Sequence, residues 1–312
     1  MGRAIVITGP TASGKTDIAV ELALMTGGEI VGADSIQIYN QCDIGSAKPS
    51  VSDKKGVRHH MIDILEPHEK FSAASFKEMA EKVIADIIAR EKLPVITGGT
   101  GLYIEALIRN IDFSDAAGQG NASEKYKRLL DEKGREYLFE MLRQRDPGSC
   151  EKLHPNNVRR VIRYLEILDG FNGTLEEYMK RAVEDRPIHD YMVFVIYPGR
   201  KHLYEKIKRR TEGMLEAGLI AETEGILASG VERDAQSMQG IGYRETIQYL
   251  DGLLNHEEYR RLLERNTRRY AKRQYTWCNR YAGAQFLEPR PDETPAETAQ
   301  SIADIMKKAE FI

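Results

Sequence analysis

Arg3-Ala4-Ile5-Val6-Ile7-Thr8, followed by Gly9-Pro10-Thr11-Ala12-Ser13-Gly14-Lys15-Thr16, decides the fold of this 312-residue chain. The first six residues read as a strand, and the next eight fit GxxxxGKT. Ile18, Leu22 and Met25 then recur at helical spacing until Gly27-Gly28 stops the helix. Strand, glycine-bounded loop and helix in that order make a phosphate-binding loop (P-loop). Its backbone N–H groups point inward, the helix N-terminus adds positive potential, Lys15 supplies a point charge, and the Thr16 hydroxyl is a ligand for Mg2+. Gly9, Pro10, Thr11, Ala12, Ser13, Gly14, Lys15 and Thr16 therefore cradle a di- or triphosphate. The motif alone does not say whether phosphorus is attacked.

Outward from that loop, β-rich runs alternate with helical patterns. Glu29 to Ala33 reads as a second strand ending at Asp34, and Val57 to Leu65 as another. Ser72 is a helix N-cap, with Phe76, Met79, Val83, Ile87 and Ile88 on one side of the helix, and Leu93 to Thr97 is a strand closed by Gly98-Gly99. Asn110 to Ser123 has nothing to bury and reads as a linker. Patterned segments are then helical to about Arg186, and Tyr191 to Tyr197 rejoins the sheet. The expected class is α/β: a P-loop core with a parallel sheet flanked by helices, plus a mainly helical insertion domain. Residues 1–112 form the first part of the core, 113–187 the insertion, and 188–312 the second part with basic C-terminal helices.

Composition excludes several classes. Apolar residues make up 41% of the chain, enough for one or two cores, and 45 basic against 48 acidic residues leave a net charge of −3. Any polyanion site must therefore be local. Cys42, Cys150 and Cys278 are odd in number and never in CxxC spacing, which argues against a disulfide framework or a structural zinc and for a reducing cytoplasm. No apolar run reaches the ~18 residues of a membrane span. Val6 stands where the myristoylation pattern wants Ser or Thr, so neither membrane nor lipid anchor is expected.

In parallel sheets ligands sit beyond the carboxyl ends of the strands, which sends Asp34 toward the same crevice as Lys15. It is a candidate base, and a helix N-cap or a Mg2+-associated carboxylate is the bland alternative. Asp34-Ser35-Ile36-Gln37-Ile38-Tyr39 adds a hydroxyl, an amide and an aromatic ring, a mixture suited to reading a planar group. Thr100, within Gly98-Gly99-Thr100-Gly101-Leu102-Tyr103, faces the crevice as a hydroxyl donor or simply starts a helix.

Basic residues cluster in three places. Arg159, Arg160 and Arg163 lie together on a helix whose other face carries Val158, Val161, Ile162 and Leu165. Tyr259 to Tyr281 holds eight Arg or Lys residues against one acid, Glu264, interleaved with Tyr259, Tyr270, Tyr275, Trp277 and Tyr281. Such a mixture suits unpaired nucleotides, although the sole tryptophan serves equally as a core anchor. Arg200, Lys201, Lys206, Lys208, Arg209 and Arg210 crowd a third segment, placed to close over the phosphate loop. His59-His60 lacks a third ligand and is read as structural.

With the P-loop, Asp34 to Tyr39, Gly98 to Tyr103, Gly240-Ile241-Gly242-Tyr243-Arg244 and Lys272-Arg273-Gln274-Tyr275-Thr276-Trp277 in view, the chain resembles the bacterial tRNA dimethylallyltransferase family. These motifs run in the family's order over nearly the whole chain. The resemblance implies transfer of a dimethylallyl group from dimethylallyl diphosphate to N6 of adenosine 37 beside the tRNA anticodon, with release of diphosphate. It implies Asp34 as base, Thr100 at the bridging oxygen, Lys15 and Arg210 on the leaving diphosphate, Gly9 to Thr16 as its cradle, and Thr16 helping to hold Mg2+. It also implies tRNA contacts at Asp34, Ser35, Ile36, Gln37 and Thr100; at Arg159, Arg160, Val161, Ile162 and Arg163; at Gln239, Gly240, Ile241, Gly242, Tyr243 and Arg244; and at Lys272, Arg273, Gln274, Tyr275, Thr276, Trp277, Cys278 and Asn279. A monomer is expected. The Cys and His ligands of the zinc finger in the family's eukaryotic members are absent.

Two other readings stand beside this one. A small-molecule kinase would use the same loop with Asp34 as base toward a hydroxyl, and a nucleotide-gated RNA-binding protein would need no chemistry at Asp34.

Overall fold

A computed structural model describes residues 2–113, 120–151, 153–183 and 187–312 and, in the helix that begins at Gly120, side chains from Glu124 onward. In chain order its elements are β1 (Arg3–Thr8), α1 (Lys15–Thr26), β2 (Glu29–Gly32), α2 (Val51–Lys54), β3 (His59–His60), α3 (Ala73–Ala89), β4 (Pro94–Gly98), α4 (Gly101–Ile108), α5 (Gly120–Arg145), α6 (Pro147–Cys150), α7 (Val158–Gly170), α8 (Leu175–Arg181), β5 (Asp190–Ile196), α9 (Arg200–Glu216), α10 (Leu219–Ala228), α11 (Tyr243–Leu250), α12 (His256–Cys278), β6 (Gln285–Leu287) and α13 (Pro295–Lys308). The chain divides into two compact units, Met1–Ile108 with Ile188–Ile312, and Arg109–Pro187.

The first unit is built on a six-stranded sheet in the order β3-β2-β4-β1-β5-β6, parallel throughout. A parallel sheet buries both faces, and the alternation of side chains along each strand sorts them. Ala4, Val6, Val31, Ile96, Val193 and Val195 face one core with Phe76, Ile84 and Ile104 of α3 and α4. Ile5, Ile7, Ile30, Val95, Phe194 and Ile196 face the other, against Ile18 and Leu22 of α1 and Ile302 and Met306 of α13.

Several expectations change in detail. Only His59 and His60 of the run Val57 to Leu65 pair as strand, because positive φ at Met61 (61°) and Asp63 (54°) turns the chain away. Met25 and Met79 are exposed, and Ala19, Ala23, Ala80 and Ile84 take inward positions instead. Three-residue β6, too short to show alternation, extends the sheet beside β5. His60 Nε2 meets Glu29 at 2.7 Å, and among the described residues no group of three His, Cys, Asp or Glu is arranged to hold a metal.

The second unit is helical. Tyr126, Leu138 and Leu142 of α5 pack with Val161, Leu165 and Leu168 of α7, and Gly134 (φ 80°) breaks α5 in the middle. Arg145 reaches Asp169 at 2.6 Å, and Tyr126 donates to the same carboxylate. Ile111 bridges Val183 antiparallel at the two ends of the unit. Of the stretch read as a linker, residues 114–119 lie outside the described residues, as do 184–186 at the far end of the expected insertion.

What places the crevice is the way three strands end level. Thr8 lies beside Gly98, and Gly32 beside Thr97. Ala33 N donates to Thr97 O at 2.8 Å, and Thr100 N donates back to Ala33 O at 3.1 Å. A Cβ on Gly98 would stand 2.1 Å from Ala33 O, so only glycine permits this crossing. Gly98→Ala is therefore expected to destabilise the chain by about 1–3 kcal/mol through forced displacement of the β2 and β4 ends, read as a lower urea midpoint.

Candidate active site

The P-loop leaves the carboxyl end of β1 and enters α1 at Gly14 (φ 91°). Gly9 holds a positive φ of 154°, and a Cβ there would lie 2.3 Å from Ile196 O, which explains glycine at that position. Ser13 is buried and its hydroxyl has no hydrogen-bond partner. The loop's far side is held by α12. The Gln274 side chain accepts from Thr11 N at 2.8 Å and donates to Gly99 O at 2.9 Å, tying the loops after β1 and β4 to one helix.

Beyond the strand ends lies a cavity of about 340 Å3. Thr11, Lys15 and Thr16 of the P-loop line it, together with Asp34, Ser35, Ile36 and Gln37 after β2 and Arg210 from α9. Gln239, Gly240, Ile241 and Arg244 approach from the segment before α11 and its first turn, and Arg273 and Gln274 from α12. Residues scattered over more than two hundred positions thus share one hollow.

Asp34 caps its own turn: Oδ1 accepts from Ile36 N at 2.9 Å and Gln37 N at 3.3 Å. Its other oxygen accepts no hydrogen bond among the described residues, so the cap and the cavity use different atoms of one carboxylate. Thr100 is half-buried, and its Oγ1 accepts from Ser35 N at 2.9 Å. Its own proton has no acceptor among the described residues and is free to be donated.

Lys15 and Arg210 share this field with Asp34. Burial, then the Arg210 charge, pull the Lys15 ammonium down to about 8, against an opposing pull from Asp34. Burial likewise lowers Arg210, opposed by Asp34 and Asp17. Two cations that burial and mutual repulsion disfavour are set to gain from an incoming anion. The hydroxyl of Thr16 is a suitable protein ligand for Mg2+, an ion that keeps most of its shell as water and substrate phosphate, and no all-protein cage competes with it among the described residues.

The structure separates other expected contact residues. Arg159 and Arg160 are exposed on α7, Arg160 donating to the Tyr164 hydroxyl at 2.8 Å, and Arg163 pairs with Glu166 at 3.1 Å. Val161 and Ile162 are buried in the core of the second unit, so their side chains do not meet a ligand. Tyr243 is also buried, donating its hydroxyl to Glu222 at 2.6 Å, and Gly242 bends the chain at φ 104°. Cys278 is buried, whereas Lys272, Arg273, Thr276 and Asn279 are exposed. Tyr275 stacks on Tyr197 at 4.2 Å. Trp277 is half-buried over Gly101, where a Cβ would come 2.6 Å from the indole, and Arg280 lies 4.7 Å above the ring. Tyr259 and Tyr281 belong to the core rather than to the basic surface. Of the eight cations in this segment, Arg260, Arg261 and Arg268 pair with Glu212, Glu257 and Glu264. Arg265, Arg269, Lys272, Arg273 and Arg280 are exposed.

Sequence reasoning passed over Leu263, Thr267 and, as a wall of the cavity, Tyr270. Their signal was present: 263, 267, 270 and 274 recur on one face of α12, the face that Gln274 commits to the P-loop. Burial and nearby Asp34 push the Tyr270 phenol well above its usual range, keeping it a neutral donor.

Because Lys15 gives up its proton near pH 8 without an anion, its contribution to anion binding fades above that pH. Titration calorimetry with inorganic diphosphate should show the affinity advantage of the native chain over Lys15→Ala shrinking as pH rises from 7 through 9. A constant advantage would show that Lys15 keeps its proton through pH 9, against the lowering that burial and Arg210 impose.

Comparisons with known proteins identify the relatives of the chain. The family model described as IPP transferase matches residues 37–281. A tRNA dimethylallyltransferase of Acetivibrio thermocellus is 44% identical over 287 residues, covering 92% of each chain. The crystal structure of the tRNA isopentenylpyrophosphate transferase of Bacillus halodurans covers all of both chains at 36% identity with a TM-score of 0.71. A eukaryotic dimethylallyltransferase solved acting on tRNA shares the fold, with a TM-score of 0.79 over 78% of its length at 24% identity. The chain belongs to the IPP transferase family.

Proposed function

We propose that this chain transfers a dimethylallyl group from dimethylallyl diphosphate to N6 of adenosine 37 in the anticodon loop of tRNA. The observation that carries this reading is the single cavity lined by Asp34, Lys15, Thr16 and Arg210 together with Gln239, Arg244 and Arg273. It offers a basic carboxylate, an anion cradle and a polar rim in one space. Ile36, Met214, Ile241 and Leu263 add apolar wall for a five-carbon group. The kinase alternative draws no support from the family relationship, and the Bacillus and Acetivibrio relatives carry names that specify tRNA and prenyl chemistry.

The exocyclic amine of adenine is a weak nucleophile because its lone pair is conjugated with the ring. As its nitrogen bonds to the allylic carbon it must lose a proton, and the unbonded oxygen of Asp34 accepts it. On the opposite side the C–O bond breaks, and diphosphate takes the electron pair. Lys15, Arg210 and the P-loop N–H groups meet the charge that grows there, with the free Thr100 proton offered to the bridging oxygen. Mg2+ bound by Thr16 and diphosphate oxygens would supply further neutralisation of that charge. The target base must leave its stack, at a cost of a few kcal/mol offset by contacts elsewhere. Exposed Arg159, Arg160, Lys272 and Arg273 suit the phosphates, and the chain works as a monomer in the cytoplasm.

Two measurements test this reading. With tRNA and labelled dimethylallyl diphosphate, Asp34→Ala should lose turnover by about 10^2–10^4-fold while retaining tRNA binding; undiminished turnover removes Asp34 from the reaction. Arg159→Glu/Arg160→Glu should weaken tRNA binding and flatten the slope of log affinity against log salt by about 1–2. A slope equal to that of the native chain would take both arginines off the phosphate backbone.

A further inference from the structure

The loop between β2 and α2 supplies one wall of the cavity through Gly45, Ser46 and Ala47, yet it contains no regular structure of its own. Its backbone carries strain: Gln41 and Ala47 hold left-handed backbone at φ 64° and 47°, a conformation that costs a non-glycine residue ~1 kcal/mol or more. The loop's own bonds, Ala47 N to Ile44 O at 3.0 Å, Lys48 N to Asp43 O at 2.9 Å and Ser46 Oγ to Cys42 O at 2.6 Å, close the turn, and contacts from outside fix where it sits. On α10, the carboxylate of Glu222 receives three consecutive backbone N–H groups, from Asp43 at 3.1 Å, Ile44 at 2.7 Å and Gly45 at 2.9 Å. The buried Tyr243 hydroxyl donates to the same carboxylate at 2.6 Å, and the Tyr243 ring lies so close to Gly45 that a Cβ there would come within 2.4 Å of it.

The network continues to the reacting side of the cavity. The Gln37 side chain donates to Ser46 O and Ala47 O, each at 3.2 Å, and Gln37 N donates to Asp34 Oδ1. Glu222 does not line the cavity and touches no reacting atom. It is nevertheless connected to the carboxylate that does by alternating hydrogen bonds and short covalent links: Gly45 N to Glu222, the backbone from Gly45 to Ser46, Ser46 O to the Gln37 amide, and Gln37 N to Asp34 Oδ1.

We propose that Glu222 is a positioning residue: its carboxylate, clamped by Tyr243, sets the Gly45–Ala47 wall and, through Gln37, the placement of Asp34 against the acceptor base. Four donors converge on two oxygens, which an ionised carboxylate satisfies and an amide does not. Glutamine would present its own NH2 to at least one of those N–H groups. The diphosphate end is independent of this clamp, because Gln274 secures the P-loop. The effect should therefore fall on the acceptor and spare the donor.

This proposal rests on the prenyl-transfer reading above, and the test separates the two. Glu222→Gln in the full chain should melt within about 5 °C of the native protein while the amides of residues 43–45 exchange hydrogen for deuterium faster. Its kcat/KM for tRNA should fall by about 10–100-fold, since a misplacement of ~1 Å is felt on that scale, with KM for dimethylallyl diphosphate unchanged. Tyr243→Phe removes one of the four bonds and should shift the same readouts in the same direction by a smaller factor; it decides the matter if Glu222→Gln does not fold. Unchanged exchange at 43–45 overturns the clamp. Faster exchange with unchanged kcat/KM for tRNA, or an equal loss in the parameters of both substrates, overturns the positioning role. A native chain that prenylates no tRNA sinks the proposed reaction, while exchange still reports whether the clamp exists.

Discussion

Ala33 O and the Cα of Gly98 come so close at the ends of β2 and β4 that a single methyl group would not fit between them. This approach makes the two strand ends level with β1, whose own end passes into the P-loop. Asp34 follows Ala33 by one residue and Thr100 follows Gly98 by two, so their distance from Lys15 is set by backbone geometry before any side chain contributes. Hydrogen bonds then lock the arrangement, Ala33 N to Thr97 O and Ser35 N to Thr100 Oγ1. The proposed displacement needs a carboxylate and an anion cradle held apart in this way, since its attacking and departing groups occupy opposite ends of one line.

The second organising element is α12. Its side chains serve three environments at once: Leu263 and Ala271 belong to cores, Gln274 fastens two loops, and Lys272 and Arg273 remain exposed. A helix can do this because residues three and four apart share a face while neighbours diverge by about 100°. The same division explains why consecutive runs are poor guides to contact. Arg159 and Arg160 are exposed while adjacent Val161 and Ile162 fill a core, and Tyr243 is buried while Arg244 reaches the cavity.

Charge follows a similar logic. The chain is nearly neutral overall, yet Lys15 and Arg210 are brought together without a salt-bridge partner among the described residues, and burial depresses both. Other cations near the sheet are paired, as Arg90 and Lys92 are with buried Glu29. Two unpaired, partly desolvated cations beside a phosphate loop are costly in the free protein, and that cost is relieved by an anion. An electrostatic deficit as well as shape therefore makes the cavity a candidate anion site.

Arg210 was singled out only through the family likeness, whereas the amino-acid order alone pointed to the parallel α/β core, to Gly9 to Thr16 as a candidate phosphate cradle and to Asp34 and Thr100 as candidate site residues. Each of these depends on local rules: β-rich runs, glycine where N–H groups must converge, and residues placed just past strand ends. The family likeness was legible as well, because its motifs are short and contiguous. Tertiary structure alone decided that Met61 and Asp63 cut a strand to two residues, that Gln285–Leu287 adds one, and that Tyr259, Tyr281 and Cys278 turn inward. It also decided that Gln274 braces the loops and that Glu222 receives the backbone of a loop about 180 residues before it. Burial and long-range hydrogen bonding depend on which surfaces meet after the chain has folded, and no window of neighbouring residues contains that information.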